Sequence, residues 1–279
     1  MKAKIAVSRA LAGQNFPGRV VLVAAGKAAW QMAKAAHDVM GNRIDSGVVV
    51  TKYDHVMGPI GNFICCEAGH PVPDENSFAA TREALTLTAG LTETDTVLFL
   101  LSGGGSALFE KPLVTGEVLQ DVTGQLLACG AGIVEINTIR KRLSAVKGGR
   151  FAQHCAPAKV FSIVLSDILG DPLDMIASGP AVPDTSTCEQ AAAIAEKYNL
   201  KLTEEAWNLL RQLQSNLMCL LRGDRIIRPE GLNHVVVHPS LGAVMQSLGV
   251  HEFLQGASDE KPVKRFPLHN IQCPHQPSF

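Results

Sequence analysis

The sequence carries almost no net charge: 25 Lys and Arg stand against 26 Asp and Glu, a formal balance of −1 over 279 residues. Such a balance gives no electrostatic footprint for nucleic acid or an anionic membrane surface. No apolar run approaches the ~20 residues that a bilayer-spanning helix needs. Residues 1–12 lack the long apolar core and small-residue cleavage site of a secretory leader. The seven cysteines are odd in number and irregularly placed, and adjacent Cys65 and Cys66 show no CxxC spacing. Neither a zinc site nor a disulfide framework is expected, and a reducing, cytoplasmic setting fits best.

What is present is enough apolar chain for a sizeable core, with 46% hydrophobic residues. Residues 20–25, 47–51, 62–67, 96–101 and 159–165 read as short strands. Helix-forming stretches at 27–40, 76–90 (with Asn76 as N-cap), 116–129, 133–146, 186–198 and 203–213 alternate with them. Strands that are apolar throughout and alternate with helices indicate α/β: a doubly wound, Rossmann-like parallel sheet with helices on both faces. Residues 1–213 form the expected Rossmann-like domain. From there the character changes: five of the nine histidines lie in the last 46 residues, and periodicity fades after a short strand at 234–238. Residues 214–279 are expected to be a divergent, partly disordered segment. Its histidines lack a ligand spacing, so a solvated tail is the expectation rather than a metal site.

In an open α/β sheet, ligands bind just past the carboxyl ends of the strands. Four polar or glycine-rich segments fall there: Ala25-Gly-Lys-Ala28, Glu67-Ala-Gly-His-Pro-Val-Pro-Asp74, Ser102-Gly-Gly-Gly-Ser106 and Ser166-Asp-Ile-Leu-Gly-Asp171. Three consecutive glycines, Gly103, Gly104 and Gly105, exceed what a tight turn requires. With Ser102 and Ser106 they suit a loop whose backbone amides approach phosphate or carboxylate. Lys27 after Gly26 can meet such an anion as a compact charge. The spacing is not that of a GxxxxGK[ST] loop. Asp167 and Asp171 place two carboxylates just beyond a strand, a donor set for Mg²⁺, although turn formation and helix capping explain either one equally well. Asn137 to Arg150 holds five basic residues. On a helix Arg140, Ser144 and Lys147 share a face, with Lys141 about 100° round; one cation would meet the ligand while the others stay solvated.

In order, Gly26-Lys-Ala, His70-Pro-Val-Pro-Asp74, Leu101-Ser-Gly-Gly-Gly-Ser-Ala-Leu108, residues 137–152, Gly170-Asp-Pro-Leu-Asp and Ile176-Ala-Ser-Gly-Pro make a specific set. It resembles the ATP-dependent glycerate kinases that join an N-terminal Rossmann-like domain to a C-terminal MOFRL domain. The likeness runs over about residues 20–213. It implies phosphoryl transfer from ATP to the 2-hydroxyl of D-glycerate with Mg²⁺, and it places Lys27 in the active-site cleft. On that frame Lys27 and Asp167 are the catalytic candidates. Gly26, Ser102–Ser106, Lys141 and Lys147 are assigned to substrate or phosphate, and Asp167 and Asp171 to the metal. Family members continue into a glycine-rich domain that supplies a catalytic arginine. Residues 212–279 show no counterpart, so impaired turnover belongs to the expectation. Glycerate and ATP are the expected partners, without nucleic acid or membrane. A homodimer is compatible with the class, although no segment marks an interface. Two alternatives stay open: a ligand-binding domain without turnover, and a hydroxypyruvate reductase, a label some relatives carry. The reductase suits the residues poorly, because Gly26 stands alone where GxGxxG is required and Thr51-Lys52 ends the second strand in place of an acidic ribose reader.

Overall fold

The computed structural model describes residues 2–166, 173–212 and 232–239. They belong to one compact unit, residues 1–240; a second unit, 241–279, lies outside the described residues. In chain order the elements are α1 (Lys2–Leu11), β1 (Val20–Ala25), α2 (Ala29–Met40), β2 (Ser46–Lys52), β3 (Ile64–Ala68), α3 (Glu75–Leu87), β4 (Thr96–Ser102) and α4 (Gly105–Leu108). Then follow α5 (Gly116–Ala128), α6 (Ile133–Arg142), α7 (Arg150–Cys155), β5 (Lys159–Ser166), α8 (Cys188–Lys197), α9 (Glu204–Arg211) and β6 (Leu232–Pro239).

The strands form one sheet in the order β3-β2-β1-β4-β5-β6, with every pairing parallel. This is the doubly wound order, reversing direction between β1 and β4. Both strands are buried along their whole length, as a sheet covered on two faces requires. Alternate residues serve opposite faces. Val21, Val23, Phe99 and Leu101 pack with Ala80 and Ala84 of α3 and Phe151 of α7. Leu22, Ala24, Leu98 and Leu100 pack with Val7 and Leu11 of α1 and Met32 and Ala33 of α2. A third cluster, built from Leu119, Leu126, Ile139, Ala195 and Leu210, joins α5, α6, α8 and α9 beside the sheet.

Two aspartates fix where β1 enters. Asp95 accepts from the Arg19 amide at 2.9 Å and the Arg19 guanidinium at 3.2 Å, and Asp45 accepts from the Val20 amide at 2.7 Å. The expected elements are present with shifted ends. Helix α3 begins at Glu75, not residue 76, because Asp74 is the cap: its carboxylate accepts from the Ser77 amide, and the Ser77 hydroxyl accepts from the Asp74 amide. Helix α6 stops at Arg142, not residue 146. The chain beyond it is drawn into backbone bonds from Leu113 N–H to the Leu143 carbonyl and from Ala145 N–H to that of Lys111. Helix α1 was not evident in the sequence.

Candidate functional site

The ends of β1 and β4 meet at the reversal of strand order. Two bonds lock them: the Lys27 amide donates to the Gly103 carbonyl at 2.9 Å and the Ala28 amide to Ser102 Oγ at 3.0 Å, while the Gly26 amide ties the end of β1 to β2 through the Val50 carbonyl at 3.1 Å. Gly26 must be glycine. At its φ of +120° a Cβ would lie 2.3 Å from Ser102 Oγ and 2.5 Å from the Ser102 carbonyl oxygen. The glycine loop then turns through Gly104, at φ +85°, into the single turn of α4. A Cβ on Gly104 would stand 2.9 Å from His70 Cδ2 and 3.1 Å from Lys27 Cε. The His70 and Lys27 side chains therefore lie over the glycine loop, and both are exposed to solvent.

The amides of Gly104, Gly105 and Ser106 have no backbone acceptor among the described residues. With the Lys27 ammonium above them they suit an anion. A one-turn helix contributes little dipole, so the positive potential here comes from the loop amides and Lys27. The structure thus brings together Gly26, Lys27, Ser102, Gly103, Gly104, Gly105 and Ser106.

It does not bring Lys141 and Lys147 to the loop surface, and the expectation of solvated neighbours fails. Arg140, Lys141, Arg142 and Lys147 are all buried. Lys147 Nζ bonds Glu110 Oε2 at 2.8 Å and the Phe109 carbonyl at 2.9 Å. Burial pulls its pKa down, opposed by Glu110. Lys141 Nζ bonds Asp184 Oδ1 at 3.2 Å and Asp174 Oδ2 at 3.5 Å. The Arg142 guanidinium donates to the Ser186 carbonyl at 2.8 Å. Burying cations is costly unless each is paired; carboxylates pair Lys141 and Lys147, while Arg142 meets carbonyls with its terminal nitrogens and leaves Nε without a partner among the described residues. Burial likewise holds Arg140 below its usual pKa, with Glu110 opposing.

The carboxylates of the Glu67–Asp74 segment also serve the backbone. Glu67 Oε1 accepts from the amides of Val56 at 2.7 Å and His55 at 2.8 Å. These bonds, led by that from Val56, lower its pKa. Asp74 caps α3. Asp167 and Asp171 lie outside the described residues, and among the described residues no group of three or more His, Cys, Asp or Glu is arranged to hold a metal. His70, Asn137 and Ser178 each lie within a motif of the resemblance, but their individual places beside the glycine loop were not legible in the sequence.

Fold and site together define a doubly wound, Rossmann-like α/β protein whose switch point carries a lysine over a glycine loop. The chain belongs to the family described as a domain of unknown function, DUF4147, which matches residues 2–211. It is 60% identical over 265 residues to the D-glycerate 2-kinase of Thermotoga maritima, covering 90% of this chain and 63% of that protein. It is 46% identical over 200 residues to a putative hydroxypyruvate reductase of Agrobacterium vitis, covering 70% of this chain and 45% of the relative. The crystal structure of a glycerate kinase from Thermotoga maritima superposes with a TM-score of 0.71 at 51% identity, over 85% of this chain and 56% of that one. The chain thus spans between about half and two thirds of the length of these relatives. A match taking in 90% of the chain extends past residue 213, so the likeness reaches into the segment that composition set apart.

Proposed function

We propose that this protein takes part in ATP-dependent phosphorylation of D-glycerate at its 2-hydroxyl, and that Lys27 and the Gly103–Gly105 loop hold the phosphate-bearing ligand. The observation that carries the reading is the position of Lys27 over a glycine loop whose amides have no backbone acceptor among the described residues, at the switch point of the sheet. Phosphoryl transfer asks a protein mainly for positioning and for positive potential around developing charge. Lys27 supplies a mobile cation, and the loop supplies fixed N–H dipoles. His70, beside both, is placed to contact the same ligand. Mg²⁺ would neutralise phosphate charge; Asp167 and Asp171 remain its assigned holders, with Asp167 also the second catalytic candidate. The kinase names of the relatives support the reading, and it carries with it a proposed cytoplasmic setting, where ATP is available. No helix among the described residues is long and apolar enough to cross a membrane.

The reductase reading has less behind it. Thr51, at the end of β2, directs its hydroxyl to the Lys27 carbonyl at 3.5 Å, where a dinucleotide site needs an acidic ribose reader. The test is a coupled assay of the purified chain with D-glycerate and MgATP beside Lys27→Ala. Formation of 2-phosphoglycerate that falls by at least ~100-fold in the variant is expected. Equal turnover in both would remove Lys27 from the site. Neither turnover nor ligand binding by the unaltered chain would defeat the functional reading.

A further inference from the structure

A buried polar relay runs from the glycine loop into the molecule. Ser106, the second residue of α4, places its Oγ 3.1 Å from Ser178 Oγ. Ser178 Oγ lies 2.8 Å from Asn137 Oδ1 and donates to it. Asn137 Nδ2 donates to the Met175 carbonyl at 3.1 Å, which fixes the amide with its oxygen toward Ser178. Asn137 and Ser178 are fully buried. A hydroxyl has one proton. Ser178 gives its own to Asn137, so the bond between the two serines must use the proton of Ser106. Ser106 then offers a ligand lone pairs only, which suits it less to donating to phosphate than to anchoring the loop.

The anchor is held at a cost. Ala177 (φ 51°, ψ 23°), Ser178 (φ 60°) and Gly179 (φ 62°, ψ 56°) are consecutive left-handed residues. Two of them carry a Cβ, at about 1–2 kcal/mol each. Such strain persists only where the surroundings over-determine it. Here the amide of Gly148 bonds the Ser178 carbonyl at 3.0 Å, and that of Gly149 bonds the Gly179 carbonyl at 2.8 Å. The turn presses the Ala177 methyl against the glycine loop: a Cβ on Gly105 would come within 2.8 Å of it. One strained turn therefore meets the loop twice, through a methyl at Gly105 and a hydroxyl at Ser106.

We infer that Ser178, oriented by Asn137, is a positioning residue that sets the anion-binding conformation of the Gly103–Gly105 loop by acting through Ser106. The inference rests on the phosphate-holding role proposed above for that loop, and it goes beyond it by assigning residues that touch no ligand.

The test combines amide hydrogen exchange of the unliganded chain with calorimetric titration by MgATP, for Ser106→Ala, Ser178→Ala and the double variant. Removing either hydroxyl is expected to speed exchange at Ala107, Leu108 and Phe109, whose amides donate to the loop carbonyls of Gly104 and Gly105, by about tenfold and weaken ATP binding by a similar factor. The double variant should be no worse than Ser178→Ala alone, because that change already deletes the bond that Ser106→Ala removes. A general loss of stability would instead speed exchange across β1 and β4 as well. Unchanged loop exchange in Ser178→Ala, or effects that multiply in the double variant, would overturn the inference. If the unaltered chain binds no ATP, the site reading fails while exchange at the loop still judges the anchor. Should Ser178→Ala not fold, Ser178→Gly removes the same hydroxyl while relieving the left-handed strain, and the same outcomes apply.

Discussion

Gly26 and Gly104 are both glycines at positive φ beside Lys27, and they are expected to respond differently to alanine. At Gly26 the new methyl would meet the Ser102 backbone, which cannot withdraw without breaking the β1–β4 junction. Gly26→Ala should cost at least ~2 kcal/mol of stability in chemical denaturation. At Gly104 the methyl meets the movable ends of His70 and Lys27. Gly104→Ala should lose only about 1–2 kcal/mol, yet bind ATP much more weakly, because both side chains must leave the loop. At this scale the sequence was most legible where chemistry and chain punctuation coincide. Gly26-Lys27 and the triple glycine stand at strand ends and announce themselves. Lys141 and Lys147 did not, because the partners that bury them, Asp184 and Glu110, lie 43 and 37 positions away in the chain, and nothing local says a lysine will find a carboxylate. Ser178 stands within the Ile176-Ala-Ser-Gly-Pro motif, but its role was not legible: Gly179-Pro180 marks a turn, not three left-handed residues in succession.

Among the elements, β1 is placed by the aspartates at its entrance. Asp95 is almost wholly buried. Hydrogen bonds, led by that from the Thr92 amide, bring its carboxyl down to about 2. A carboxylate whose pKa falls on folding adds stability above its ordinary value, and that stability is lost as pH drops through the depressed one. Asp95→Asn should therefore destabilise the chain by about 1–3 kcal/mol at neutral pH. Thermal unfolding should show the difference from the unaltered chain narrowing between about pH 4 and pH 2. The strands themselves were readable from apolar runs bounded by polar punctuation, and their observed ends moved by few residues. Helix ends were less readable. Asp74, not the expected Asn76, caps α3 because Ser77 completes a reciprocal pair of bonds with it, and α6 ends where residues 143–145 pair with a segment some 30 residues earlier.

At the scale of the whole molecule, the proposed anion site lies at the one place where the order of the described strands reverses. In a doubly wound sheet the ligand crevice lies beyond the carboxyl ends of the strands at such a reversal, here where the ends of β1 and β4 meet. The three helical layers are structural support for that crevice: α1 and α2 behind it, α3, α4 and α7 in front, and the α5–α6–α8–α9 cluster holding the Asn137 end of the relay. The fold class was legible because alternation of apolar strands and helices admits few topologies. The extent of family likeness was not, since the composition of residues 214–279 hid a match that continues beyond 213. The central claim is that Lys27 and the glycine loop form the anion site. It is tested most directly by following backbone amide resonances of ¹⁵N-labelled chain during titration with MgATP, beside Lys27→Ala. The account predicts saturable shifts concentrated at Lys27, Gly103, Gly104, Gly105 and Ser106, weakened by at least about tenfold in the variant. Shifts centred elsewhere, or undiminished in Lys27→Ala, would contradict it.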